Sequence, residues 1–272
     1  MGSDHYAVLS PRRLNLDYGH HGNPLANRLK IGLIRKMVSR SKYMKRIFDF
    51  IIAVFLAVIL LVPIFVISLL SRLFSGAPVF FIQDRVGKNG HIFKLFKFRT
   101  MVNRQTADSS ITVRNDVRVT SFGRFLRKWK LDELPQLWNV LKGDMSFVGP
   151  RPDVPGYTDT LEGEDRLILE LRPGITGPAS LKYRDEEDIL ANCDDPVRYN
   201  DMVIFPDKVR LNLDYMRKCS IWLDIRLMLI TAGLMRSKRT DFWFADGNVG
   251  NQKIENRKPN FSITSKCESN DG

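Results

Sequence analysis

The longest apolar stretch of the chain, residues 50–70, reads FIIAVFLAVILLVPIFVISLL and carries no charged side chain. A straight helix of this length would span about 30 Å, the thickness of a bilayer core, so the stretch predicts a membrane helix. Pro63 lies within it. Because proline removes one helical hydrogen bond and clashes with the carbonyl group four residues earlier, we expect the helix to kink at Pro63.

Two topologies fit this stretch. Residues 50–62 and 63–73 would each reach roughly 15–20 Å as helices, which is too short to cross a bilayer alone. Both flanks are rich in Lys and Arg, and such an excess normally marks one side of a membrane. A re-entrant helix, which enters the membrane, bends at Pro63 and returns to the same face, satisfies both observations. A Pro-kinked spanning helix is the alternative, because membrane helices tolerate proline.

Two opposite charges stand where the apolar stretch begins. Arg46 and Asp49 are three residues apart, which places them on the same face of a helix. We therefore expect them to form an ion pair where the helix meets the membrane surface.

The residues after the apolar stretch have the pattern of a β-hairpin. Residues 79–85 and 91–99 are predicted to pair, with Asn89 and Gly90 in a type I′ turn. Alternation along the second strand places Lys97 and Arg99 on one face. These two cations form either a solvated basic edge or a pair of phosphate donors, and the pattern alone does not separate the two interpretations.

Residues 121–130 combine aromatic and basic side chains at helical spacing. The apolar stripe consists of Phe122, Phe125, Leu126 and Trp129. The cations between them are Arg124, Arg127, Lys128 and Lys130. This pattern is typical of an amphipathic helix in the headgroup region of a membrane. An ordinary surface helix with a core-facing stripe has the same pattern.

Asp132 and Glu133, here called the acidic pair, lie where the next helix is predicted to begin. Pro135 is acceptable only in the first turn of a helix, so we expect the helix to run from about Asp132 to a C-cap at Gly143. Unpaired N–H groups and the helix dipole favour anions at its first turn. An N-cap role would account for Asp132 alone. A phosphate site would account for both acids and for the surrounding cations.

Such a site needs two different carboxylate roles. Neighbouring residues on a helix point in different directions, so one acid could attack phosphorus while the other holds a divalent cation. The segment SFVGPRPD that follows fixes Arg151 between Pro150 and Pro152. A rigid guanidinium group there suits a phosphate clamp, and a structural turn with an exposed Arg is the alternative.

Composition narrows the class of partner. The 272 residues include 42 Lys and Arg against 30 Asp and Glu, and the net charge of +12 favours an anionic partner. Three cysteines without CxxC spacing indicate a reducing compartment, and the N-terminal residues lack the apolar core of a secretory signal. We divide the chain into a basic N-terminal extension (1–41), the membrane helix (42–75), a mixed domain (76–236) and a polar tail (237–272).

Several long motifs together resemble the bacterial sugar transferase family, the monotopic polyprenyl-phosphate phosphoglycosyl transferases. In order, they are KRIFDF, the Pro-broken apolar stretch, QDRVGKNGHIFKLFKFRTM, RKWKLDELPQLWNVLKGDMSFVGPRPD and LRPGITG. The resemblance covers about residues 42–235. It implies an α+β fold, with a small helix-rich domain on the cytoplasmic face, a β-hairpin, interfacial amphipathic helices and one re-entrant, Pro-kinked membrane helix. One departure is that Val62 precedes Pro63, where many members have a serine.

The resemblance also implies an activity and residue roles. The family transfers a phospho-sugar from a UDP-sugar to polyprenyl phosphate, such as undecaprenyl phosphate, and releases UMP, as the first membrane step of exopolysaccharide, lipopolysaccharide or glycan assembly at the bacterial inner membrane. It implies that Asp132 is the nucleophile, which forms a covalent intermediate, and that Glu133 binds Mg²⁺. The implied phosphate-binding residues are Lys97, Arg99, Arg127 and Arg151, and those of the membrane anchor are Arg46, Asp49 and Pro63.

Two other functions fit parts of the sequence. A catalytically inactive membrane scaffold of the same fold is one, although a scaffold need not keep the acidic pair and its cations. A membrane-tethered nucleic-acid binder would need a basic groove with exposed stacking aromatics. The aromatic residues here fall mostly in apolar stripes, so we expect no nucleic-acid partner. The sequence is compatible with a homo-oligomer and does not identify the sugar.

Overall fold

The computed structural model describes residues 24–101 and 118–235. It begins with α1 (Pro24–Ser75), a helix of 52 residues with Pro63 inside it. Residues 24–41, predicted to belong to a separate extension, are therefore helical and continuous with the apolar stretch. The first 23 residues of that predicted extension and the predicted polar tail lie outside the described residues.

An antiparallel hairpin follows α1. β1 (Phe80–Val86) pairs with β2 (Ile92–Phe98). Asn89 and Gly90 have positive φ angles of 57° and 81°, as the predicted turn requires. The N–H group of His91 donates to the carbonyl of Lys88 across this turn, at 3.2 Å. The predicted hairpin is confirmed, and each strand end lies within one residue of its predicted position.

Short helices and one parallel strand pair make up the rest of the described chain. α2 (Ser121–Lys128), a 3₁₀ turn (Leu131–Glu133) and α3 (Gln136–Lys142) precede β3 (Ser146–Val148), which pairs in parallel with β4 (Gly174–Thr176). The remaining α-helices of the described chain are α4 (Pro178–Lys182), α5 (Glu186–Ala191), α6 (Pro196–Tyr199), α7 (Phe205–Lys218) and α8 (Ile221–Thr231). A helix-rich structure with small sheets is what the α+β prediction requires.

One side of α1 packs against the domain formed by residues 76–235. Ala53 of α1 is fully buried in the main core, which also receives side chains from β2, α3, β3 and α7. Further along α1, Ile67 packs with Phe98 and Leu126 in a second cluster. The apolar stretch therefore contacts the domain on both sides of Pro63.

The other side of α1 is apolar and exposed. The segment Tyr43–Ser75 is the one part of the described chain that is long and apolar enough to cross a membrane. Phe55, Val58 and Phe65 are among its exposed side chains. An exposed apolar surface of this extent marks a contact with lipid or with another protein.

Arg46 and Asp49 bind backbone groups of the domain in place of the predicted contact with each other. Arg46 donates from its two terminal nitrogens to the carbonyls of Val140 and Leu141 in α3, at 2.6 and 2.9 Å. Asp49 Oδ1 accepts from the N–H group of Phe147 in β3, at 3.3 Å. The predicted ion pair is absent from the contacts of the described residues. Arg46 instead satisfies carbonyls near the end of α3, and Asp49 satisfies an N–H group of β3. Helical spacing could not reveal these distant partners.

The ion pair between the partly buried Lys45 and the buried Asp224 also joins α1 to the domain. Asp224 Oδ1 accepts from the hydroxyl of Tyr215 as well, at 2.6 Å. Asp224→Ala would leave Lys45 without its acceptor and Tyr215 with only the longer contact to the carbonyl of Val148, at 3.4 Å, so we expect it to lower the free energy of unfolding by about 3–5 kcal/mol. Denaturant unfolding in detergent micelles measures this loss.

A double variant serves as the control for this prediction. Lys45→Met combined with Asp224→Leu removes both charges, and it should recover most of the stability that Asp224→Ala loses. An Asp224→Ala protein as stable as the wild type would show that the pair does not anchor α1.

Candidate active site

The acidic pair lies in the 3₁₀ turn Leu131–Glu133, ahead of α3. Lys130 begins this turn in a left-handed conformation, and the carbonyls of Lys130 and Leu131 accept from residues three positions later. The prediction that the pair lies in the first turn of an α-helix is therefore wrong. The pair lies in a 3₁₀ turn just before α3, because Pro135 is the N-cap of that helix. Gly143, with φ of 96°, ends α3 as predicted.

Two cations bind one oxygen of Glu133. Lys97 Nζ donates to Glu133 Oε1 at 3.1 Å, and a terminal nitrogen of Arg151 donates to the same oxygen at 3.0 Å. β2 carries Lys97, and the Pro-flanked loop after β3 carries Arg151. Glu133 is buried, so the hydrogen bond from Lys97 forms where the dielectric is low, whereas the Arg151 side chain is 42% exposed and solvent partly screens its bond.

Arg127 lies at the end of α2, near the acidic pair. Its Nε donates to Thr100 Oγ1 at 3.0 Å, and a terminal nitrogen lies 3.7 Å from Glu187 Oε1 of α5. Its charge also acts on Asp132. The guanidinium group is thus held beside the pair by two partners, one of which is an exposed carboxylate on a neighbouring helix.

Arg99 is committed to a different part of the structure. It donates to the carbonyls of Met101 and Ala77, at 2.9 and 2.8 Å. Alternation predicted that Arg99 shares a face with Lys97, but β2 ends at Phe98, and the alternation ends with it. The structure brings Lys97, and not Arg99, to the acidic pair.

The two members of the acidic pair experience opposite electrostatic environments. Burial raises the pKa of Asp132, and the adjacent charge of Glu133 adds to this rise. Burial alone would also raise the pKa of Glu133, but the charges of Arg151 and Lys97 outweigh it and hold that pKa far below its usual range. Asp132 Oδ1 is buried without a hydrogen-bond partner in the described part of the chain. Glu133 is therefore a fixed anion, and Asp132 keeps an uncommitted oxygen.

The acidic pair could hold a divalent cation only together with substrate. Among the described residues, no group of three or more His, Cys, Asp or Glu side chains could enclose a metal ion. Mg²⁺ commonly uses one or two protein carboxylates, with water and substrate phosphates as its other ligands. The Glu133 oxygen that Lys97 and Arg151 do not contact is a donor of the kind Mg²⁺ prefers. The residues therefore fit a Mg²⁺ ion whose other ligands are phosphate oxygens.

Sequence reasoning missed Arg85 and Asp153. Arg85 of β1 donates to the carbonyl of Pro152 at 3.0 Å, which supports the loop that carries Arg151. Burial, and then the charge of Arg151, lower the pKa of Arg85 to about 10. Arg85 lies opposite Phe93 in the hairpin, and opposite side chains share a face, so the predicted strand pairing could have placed it on the face of Lys97.

Comparison with known proteins gives concordant matches. Residues 40–238 match the profile of the bacterial sugar transferase family. The chain is 36% identical over 188 residues to the uncharacterized sugar transferase EpsL of Bacillus subtilis (strain 168), an alignment that covers 69% of this chain and 85% of EpsL.

The names of two longer relatives state the reaction that each one catalyses. The chain is 40% identical over 195 residues to the undecaprenyl-phosphate glucose phosphotransferase of Komagataeibacter xylinus. It is 36% identical over 198 residues to the UDP-glucose:undecaprenyl-phosphate glucose-1-phosphate transferase of Escherichia coli (strain K12). These alignments cover 69% and 70% of this chain, but the chain spans only 35% and 40% of the two relatives.

The carboxyl group of Asp153 gives a pH test of the site's electrostatics. Burial raises its pKa to about 6, although Lys208, Arg85 and Arg151 oppose the rise. The folded state thus keeps this proton to higher pH than the unfolded chain, so the group lowers stability as pH rises from about 4 to about 6. We expect Asp153→Asn to have a higher Tm than wild type at about pH 7.5 and to lose this advantage at about pH 4. Thermal unfolding at both pH values measures the difference, and an equal Tm difference at both would contradict the assignment.

Proposed function

Because the chain belongs to the bacterial sugar transferase family, we propose that it transfers a phospho-sugar from a UDP-sugar to undecaprenyl phosphate and releases UMP. The observation that carries this proposal is the acidic pair, in which Glu133 is held by Lys97 and Arg151 next to the uncommitted oxygen of Asp132. The relatives from Komagataeibacter xylinus and Escherichia coli are named for glucose, and one from Aeromonas hydrophila is named for N-acetylgalactosamine. Similarity therefore supports the reaction class and leaves the sugar open.

In the proposed first half-reaction, Asp132 is the nucleophile. Its carboxylate oxygen attacks the sugar-bearing phosphorus of the diphosphate. The bond from that phosphorus to the bridging oxygen breaks, and its electron pair leaves with UMP. The product is an aspartyl phosphodiester, which splits one difficult transfer into two easier ones. The buried, unpartnered Oδ1 supports this role, because no hydrogen bond within the described protein has to break before it attacks.

The cations around the acidic pair are proposed to hold the diphosphate. Lys97 and Arg151 already meet at Glu133, and Arg127 is placed near Asp132 by Thr100. These groups can orient phosphoryl oxygens and stabilise the charge that develops as UMP leaves. Glu133 is also the proposed ligand of Mg²⁺, which would neutralise charge on the diphosphate when bound.

We further propose that α1 is re-entrant and that the domain lies on the cytoplasmic face of the inner membrane. Lys45, near the start of the apolar segment, binds Asp224. At the other end of this segment, the Oγ atom of Ser75 is 3.3 Å from Oγ1 of Thr120, which belongs to the same domain. A straight helix across this segment would separate its ends by about 45–50 Å, enough to place them on opposite sides of a bilayer. Contacts of both ends with one domain support a return to the same face, and Pro63 is the proposed site of the bend.

Release of UMP tests the proposed function. Protein in nanodiscs with Mg²⁺ and undecaprenyl phosphate should release UMP from at least one sugar in a panel of UDP-sugars. Asp132→Asn keeps the shape of the side chain and removes the attacking charge, so the rate should fall by about 1,000-fold or more. Asp84→Asn, which changes an exposed carboxylate paired with Lys94 in the hairpin, is the control and should keep the rate. An inactive scaffold would release no UMP with any sugar, and this result would reject the function.

Cysteine labelling tests the proposed topology. In a background without Cys193, Cys219 and Cys267, single cysteines at positions 30 and 260 should both react only with reagent on the cytoplasmic side. Pro63→Leu restores the missing helical hydrogen bond, so it should straighten α1 and move part of the population to labelling from opposite sides. Wild-type protein labelled at the two positions from opposite sides would show that α1 spans the membrane.

A further inference from the structure

Lys130, two residues before the nucleophile, has an unusual backbone conformation. Its φ and ψ angles are 55° and 22°, in the left-handed region. Among the non-glycine residues that the structure describes, Asn89 alone shares a positive φ, and it lies in a hairpin turn where Asn is favoured. A glycine at position 130 would adopt this conformation without strain. The sequence has a lysine there instead, which points to a role for the side chain.

The charge of Lys130 is close to the acidic pair but is not committed to it. The side chain is exposed, and its ammonium group makes no hydrogen bond or ion pair with the residues described. Lys97 and Arg151, in contrast, are bound to Glu133. After burial, which is the largest influence, Lys130 is among the charges that act on the pKa of both acids. It is therefore a cation near the nucleophile that is available for an anionic ligand.

Lys130 directly follows a group of aromatic side chains that adjoins the end of α1. It follows Trp129, the C-cap of α2, and the side chains of Phe125 and Trp129 are 51% and 63% exposed. The ring of Phe122 in α2 packs at a tilt of 34° against that of Phe74 at the end of α1, with ring centroids 5.6 Å apart. Exposed Trp side chains favour the headgroup level of a bilayer. Along the chain, Lys130 thus lies between aromatic residues suited to the membrane surface and the buried Asp132.

We propose that Lys130 binds the phosphate group of the polyprenyl phosphate acceptor and holds it against the phospho-sugar on Asp132. This inference rests on the proposed function and extends it to the second substrate. In the second half-reaction, an ionised oxygen of the acceptor phosphate attacks the sugar-bearing phosphorus. The bond between that phosphorus and the Asp132 oxygen breaks, and its electron pair returns to the carboxylate. Both reactants are anions, and a cation between them reduces their repulsion.

Four variants separate the charge of Lys130 from its backbone strain. Lys130→Gly removes the charge and relieves the strain, Lys130→Ala removes the charge and keeps a Cβ in the left-handed region, and Lys130→Arg keeps the charge. Lys128→Ala removes the neighbouring exposed cation at the end of α2 and serves as the control. Native mass spectrometry in detergent micelles measures the Kd for undecaprenyl phosphate, for undecaprenol, which lacks the phosphate, and for UDP-glucose.

We expect Lys130→Gly and Lys130→Ala each to weaken binding of undecaprenyl phosphate by about tenfold, while Lys130→Arg and Lys128→Ala stay within about twofold of wild type. Binding of undecaprenol and UDP-glucose should change little. Unchanged binding of undecaprenyl phosphate by Lys130→Gly overturns the inference. An equal loss for undecaprenol, or for UDP-glucose, overturns it as well, because the side chain would then serve the lipid chain or the donor.

These outcomes are distinct from a failure of the proposed function. If the acceptor binds with the expected dependence on Lys130, but the wild type releases no UMP from any UDP-sugar, the lipid-phosphate site stands and the transferase function is rejected. If UMP is released and acceptor binding is indifferent to Lys130, the function stands and the inference is rejected.

Discussion

The pairing of Glu133 with Lys97 and Arg151 is the interaction on which the rest of the site depends. A buried carboxylate is costly unless cations and hydrogen bonds satisfy it. Three separate segments, β2, the 3₁₀ turn and the loop after β3, therefore have to meet at one oxygen. Burial and the charge of Glu133 raise the pKa of the adjacent Asp132, whose Oδ1 has no hydrogen-bond partner among the described residues. Adjacent acids acquire different chemistry because only one of them is paired.

The short helix α3 connects this centre to the membrane segment. Its N-terminal end follows the acidic pair, and Arg46 of α1 binds its last carbonyls. Arg172, from the LRPGITG motif, donates to the carbonyl of Gly143 at 2.9 Å and completes this end. In the middle, the buried Asn139 donates to the carbonyl of Lys94 in β2, at 2.7 Å. One helix of seven residues thus ties the hairpin, the acidic pair and α1 together, which fixes the position of the pair relative to the apolar stretch.

Local signals could be predicted from the sequence, and long-range partners could not. The hairpin turn at Asn89, the cap at Gly143 and the apolar length of α1 each follow from a few neighbouring residues. The partners of Arg46 lie 94 and 95 positions away, so helical spacing pointed to Asp49 instead. The left-handed Lys130 moved the acidic pair into a turn, and no propensity of lysine signals that conformation. The pairing of β1 with β2 places Arg85 on the same face as Lys97, and the predicted register of the hairpin already contained this pairing.

The role of Asp132 as the carrier of the phospho-sugar is tested most directly by trapping the intermediate. Protein with Mg²⁺ and without lipid acceptor is mixed with a UDP-sugar labelled in the sugar-bearing phosphate, quenched, and analysed by peptide mass spectrometry. If Asp132 is the nucleophile, the wild type carries label on residue 132 and releases UMP, and Asp132→Asn carries none. Release of UMP only in the presence of the acceptor, with no labelled protein, would contradict a covalent intermediate and favour direct transfer between the two substrates.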